Sequence, residues 1–172
     1  MDANTKQNLN GSGLESLLEQ LLNEDAHERH TAREKLVAIG ERVLEPVGSL
    51  LDHPKHLYRW EALKVMSLIG APKSIPAFIA ALEDEKGDIQ WLAADGLIRT
   101  GKHAIKPLLK AIRENDRSVL LLHGAHHVFS ELRDQKELPE DFPTKKLLKA
   151  LTDLSENASL KVMVHNLLED LN

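Results

Sequence analysis

Apolar positions recur along the chain with a helical period. Leu14, Leu17, Leu18 and Leu21 follow an i, i+3, i+4, i+7 spacing, the mark of an amphipathic helix. The segment Arg59–Leu82, RWEALKVMSLIGAPKSIPAFIAAL, shows the larger unit. A helix with Ala62, Met66 and Ile69 on one face runs into a glycine turn, and a second helix follows with a proline in its first turn. Gly40, Gly70 and Gly101 recur at intervals of about 30 residues, with Pro46, Pro76 and Pro107 in step, and repetition at such a period marks stacked helical pairs. Five pairs are predicted, at about 14–40, 42–70, 73–101, 103–132 and 144–171, forming one repeat domain over 14–172. Residues 1–13 are polar and aperiodic and read as a disordered tail. The expected fold is all-α, a right-handed α-solenoid.

The punctuation agrees with this division. Proline near a helix start removes an N–H that has no intrahelical acceptor there, and Gly70 and Gly101 stand where a left-handed cap closes a helix. The fourth pair has Leu132 where a glycine is due. The charged stretch Arg133–Pro143, RDQKELPEDFP, is expected to be a surface loop. The last helix, SLKVMVHNLLEDL, lacks the alanine-rich middle of the others, as a terminal cap would.

Hydrophobic residues make up 42% of the chain and aromatics 3%, so the core must be aliphatic, which suits helix-on-helix packing. The net charge of −5, spread in mixed sign, gives no general pull toward nucleic acid or anionic membrane. Cysteine is absent, which excludes disulfides and thiolate chemistry. With no apolar leader or bilayer-length run, a cytoplasmic location is expected.

Certain strings carry a resemblance. Tyr58–Gly70 (YRWEALKVMSLIG) with Ser74–Leu82, and Ile89–Gly101 (IQWLAADGLIRTG) with Ala104–Ile112, share a branched or aromatic residue, Arg or Gln, then Ala, Leu or Ile, and Gly at fixed spacing. This pattern resembles the short HEAT-type repeats of the phycobilisome-lyase-like group. The resemblance implies the fold directly. It also implies a range of activities, from bilin lyases and a di-iron hydroxylase to DNA-repair relatives and adaptors. The hydroxylase needs several His-Glu dyads, and this chain has one, His27-Glu28. A role assisting tetrapyrrole attachment is the alternative that the resemblance leaves open.

On a helical wheel at about 100° per residue, Tyr58, Ala62, Met66 and Ile69 face the paired helix, while Trp60, Lys64 and Ser67 point away. Carried along the repeat, the outward stripe reads His30, Glu34 and Val37 in the first pair, Trp91, Asp95 and Ile98 in the third, and Leu122, His126 and Phe129 in the fourth. In HEAT-type stacks the second helices line the concave side. Trp60 and Trp91 are then the anchors of an apolar strip extended by Ile98, Leu122 and Phe129, with His30, Glu34, Lys64, Asp95 and His126 as orienting polar groups. Such a strip suits a peptide or helix of another protein. Two other readings stand beside it: the tryptophans pack at seams between repeats, or the strip closes on a second copy in a homodimer.

Other chemistries find little support. His123, His126 and His127 share a helix, but no acid or thiol at helical spacing completes a metal shell, so no metal or other cofactor is expected. No nucleophile elbow or phosphate-binding glycine loop occurs. Asp95 beside Trp91 is similar to the acid and aromatics of HEAT-like DNA glycosylases, yet the basic groove that nucleic acid requires is missing. The expectation is a non-catalytic interaction module.

Overall fold

The computed structural model describes residues 11–153 and 157–171, and every regular element among them is helical. The expected tail lies outside the described residues over 1–10, and its last three positions instead open the first helix. In order, α1 spans Gly11–Leu21, α2 Ala26–Ile39, α3 Leu44–Gly48, α4 His56–Ile69 and α5 Ile75–Ala81. There follow α6 Gly87–Arg99, α7 Ile105–Glu114, α8 Val119–Asp134, α9 Thr144–Thr152 and α10 Asn157–Asp170. Short 3-10 turns at Gly40–Val43, Pro72–Ser74 and Gly101–Ala104 lead into α3, α5 and α7. The first helices of pairs two and three are therefore shorter than their sequence pattern predicts, because a tighter turn takes up their opening residues. The chain forms two compact units, one up to Ala71 and one from Pro72.

In the first unit α1 packs on α2, and α2 and α3 both pack on α4. Leu21, Ala32, Leu36, Val47, Ala62, Leu63 and Val65 are fully buried there. Gly70 adopts φ 65° and donates its N–H to the Met66 carbonyl at 3.0 Å, the left-handed cap its position predicts.

In the second unit α5 and α7 form one layer, α6 and α8 the other, joined by an aliphatic core that includes Leu82, Leu92, Leu97, Leu108 and Ile112. Gly96 lets α6 approach closely, since a Cβ there would lie 2.5 Å from the buried Phe78 ring. The last pair is crossed. Its first helix, α9, packs against α8, and its second, α10, packs against α7, so each joins the layer opposite to the one its order in the pair predicts.

The stretch predicted as a surface loop is tied down at three points. α8 continues to Asp134, and Lys136 takes the left-handed φ of 60° in place of the missing glycine, with Glu137 N–H bonded to the Leu132 carbonyl at 2.9 Å. The Glu137 carboxylate accepts from the Lys102 N–H, 3.3 Å away, and Phe142 is buried with its ring stacked on Phe129 at 5.9 Å.

The recurring Arg or Gln has a structural task. Arg29 donates to the carbonyls of Asn23 and Glu24 at 2.8 and 2.7 Å, Arg59 to the His53 carbonyl at 3.0 Å, and Gln90 to the Asp84 carbonyl at 2.6 Å. At the same three turns the Asn23, His53 and Asp84 side chains accept from the N–H two residues on, at 2.8, 3.0 and 2.9 Å. Each of these three turns is thus latched by a side chain six residues later, which fixes the turn's carbonyls to the helix that follows. The fourth turn has Leu122 at the latch position, which cannot donate. It is held from outside: Asn115 and Ser118 donate to the Glu83 carboxylate, and Asp116 pairs with Lys161 of α10 at 3.2 Å.

Candidate interaction surface

The predicted site residues fall in both units, and each set takes its character from its own neighbours. In the first unit α2 and α4 enclose a buried carboxylate. The Glu61 side chain is 3% exposed and accepts from Arg29 Nε at 3.0 Å and from Arg33 Nη1. The Arg33 guanidinium also lies over the Trp60 ring, 5.8 Å from its centroid, and donates to His30 Nδ1 at 3.0 Å. His30 in turn reaches Glu34, 3.5 Å away. Trp60 is half-buried beneath this cation, and Lys64 is half-buried one turn on. Ser67, predicted to point outward, is buried. The first-unit stripe is a partly covered polar network.

In the second unit Trp91 is 62% exposed, while Asp95 and Ile98 behind it are half-buried. Asp95 is ion-paired with Arg99 at 2.9 Å, one turn along α6. Trp91 lines an open depression of about 400 Å³ together with Leu120, His123, His126, His127 and Ser130 of α8. Leu120 is 41% exposed and Val119 beside it is more so, giving the start of α8 an apolar face toward solvent. Burial, followed by the neighbouring His123, His127 and Arg133, holds His126 below the ordinary histidine value. Among the described residues no three His, Cys, Asp or Glu side chains are arranged as a metal-ligand set, and no helix is long and apolar enough to cross a membrane.

Two predicted members of the strip are corrected. Leu122 is 1% exposed and Phe129 0%, so neither extends an exposed surface. The cause is register. The core alanines Ala32, Ala62, Ala93 and Ala125 are spaced by 30, 31 and 32 residues, so the repeat lengthens by one residue at each step. Carrying the second interval, 31 residues, unchanged into the fourth pair places every residue one position too early. With Ala125 as the reference, the counterparts of Trp91, Asp95 and Ile98 are His123, His127 and Ser130, and these line the depression. Phe129 is instead the counterpart of Met66 and Leu97, inside the core and beneath Phe142. His126 does line the depression, from the position next to the stripe. The alanine spacing was present in the sequence and would have found His123 and His127. Nothing in the pattern marked Leu120 as exposed.

These helical pairs, with their stacked second helices and short latched turns, define an all-α repeat protein. The family model for HEAT repeats matches residues 14–98 and again 44–126, well over half of the chain. The protein belongs to the HEAT-repeat family. The crossed last pair lies beyond the matched residues. Comparison with curated proteins finds no match.

Proposed function

We propose that the protein is a non-catalytic interaction module that holds a peptide or helix of a partner protein on the face formed by α6 and α8. The observation that carries this reading is Trp91. An indole 62% exposed beside a depression keeps a large apolar surface in water unless a partner covers it, and Trp is the residue most enriched among binding hot spots. Leu120 and Val119 extend the apolar surface, and the imidazoles and Ser130 supply donors and acceptors that fix orientation, the mixture found at peptide-binding faces. Repeat arrays of this kind commonly present such faces to other proteins.

The test is affinity capture followed by cross-linking, with wild type beside Trp91→Ala and Trp60→Ala. Loss of a captured protein with Trp91→Ala alone, at a cost of about 2 kcal/mol in binding, is the expected result. Cross-links from that protein to α6 and α8 complete the expectation. Identical capture by wild type and Trp91→Ala would refute it.

A further inference from the structure

We infer that the segment received by the α6–α8 depression is acidic, with an apolar side chain set against Trp91 and a carboxylate among His123, His126 and His127, and that its binding is proton-linked. This rests on the interaction reading above and specifies the ligand. The three imidazoles occupy positions i, i+3 and i+4 of one helix and line the same depression as the exposed indole. They are close enough for His123 and His127 to disfavour the charged form of His126. Imidazole is the side chain whose ordinary titration, near pH 6.5, turns a neutral group into a cationic donor in a mildly acidic range.

The surrounding charges leave the imidazoles in control. On α8 itself the other charged groups in this half of the helix are Glu131, Arg133 and Asp134, the last two paired at 2.7 Å. From α6 they are Asp88, Asp95 and Arg99, with Asp95 and Arg99 paired at 2.9 Å. The elements packed on the other sides of α8 bury Ile105, Leu108, Leu109 and Ile112 of α7, and Thr144, Leu147, Leu148 and Leu151 of α9. Lys106, Lys110, Arg113 and Glu114 of α7, and Lys145, Lys146 and Lys149 of α9, lie outside those buried faces. No carboxylate is among the residues lining the depression, so protonation of the imidazoles makes that lining cationic.

A carboxylate entering among the imidazoles forms charge-assisted hydrogen bonds with their protonated form and so draws protons onto them. Linkage then sets the sign. In the free protein His126 lies below its ordinary value, so acidification through the histidine range favours the unfolded chain. Bound to an acidic segment the imidazoles are raised, and affinity increases as pH falls.

The probe is a random peptide display library selected on the full chain at pH 5.5, with Trp91→Ala for counter-selection. Expected are peptides combining Glu or Asp with a large apolar residue. Their Kd should tighten about tenfold from pH 7.5 to 5.5, the scale of one linked proton over that interval. His123→Gln with His127→Gln, folding confirmed by circular dichroism, should flatten that pH dependence. Should the double variant fail to fold, the exposed single variant His123→Gln must reduce the pH slope. Trp91-dependent peptides that are neutral or basic, or whose binding does not change with pH, would overturn the acidic-segment inference and leave the interaction face standing. Recovery of no Trp91-dependent peptide would overturn both.

Discussion

Trp60 and Trp91 hold the same place in successive repeats and differ in almost everything else. Trp60 lies under the Arg33 guanidinium, beside a buried carboxylate shared by two arginines, while Trp91 stands 62% exposed at the edge of a depression lined with imidazoles. On its own helix Trp60 is followed by Glu61, which binds Arg33, where Trp91 is followed by Leu92. The rest of the separation comes from the preceding second helix in the first unit, where α2 offers Arg29 and Arg33, and from the following one in the second unit, where α8 offers Leu120 and His123. A position in a repeat fixes where a side chain points. The neighbouring repeat decides whether it is structural or available.

The largest expected effect falls on the covered side of this comparison. Glu61→Ala leaves two part-buried guanidinium groups without their anion and should lower the unfolding free energy by about 3 kcal/mol in urea titration. It should also shift the Trp60 emission toward that of a solvated indole, erasing the contrast. Unchanged stability would mean that the Glu61 network holds nothing together. On the exposed side, Gly96→Ala pushes a Cβ into the Phe78 ring from behind the Trp91 face and should cost about 2 kcal/mol, after the small helix-propensity gain of alanine is subtracted. Adding Phe78→Leu should recover part of that loss.

The two tryptophans themselves give the sharpest test at smaller amplitude. Trp60→Ala should destabilise by about 1–2 kcal/mol and Trp91→Ala by less than about 0.5 kcal/mol, read from paired denaturation midpoints. Equal losses would place both in the same structural role. Smallest is Lys136→Gly. The lysine sits at φ 60°, and glycine there should raise stability by about 0.5–1 kcal/mol, a gain confined to the second unit.

Much of the fold was legible because helical repeats write their boundaries in short-range code. Pro76 at the start of α5, Gly70 as a left-handed cap and the apolar spacing of Leu14 to Leu21 each follow from local backbone chemistry. The site was legible only in part. Trp91 was found from the helical wheel, but the partners it meets on α8 depend on a repeat interval that grows by one residue, and a wheel carries no information about such drift. Phe129 was misplaced for that reason and for a second one. The stretch that covers it reads as solvated from its charges, whereas the burial of its Phe142 is decided by a ring-on-ring contact across sequence. The crossing of α9 and α10 was not legible at all, since both are amphipathic and either could join either layer.

The latched turns also bear on the order in which the protein can be completed during synthesis. At the first three turns both partners of the latch lie within six residues, so each can close as soon as its own helix emerges from the ribosome. The fourth turn must wait for Lys161, made about 45 residues after Asp116, an interval of several seconds at roughly 5–20 residues per second. Through that interval α8, with the imidazoles it carries, is joined to a turn tied backward, to Glu83. The face beside Trp91 is therefore among the last parts of the molecule to be fixed in place.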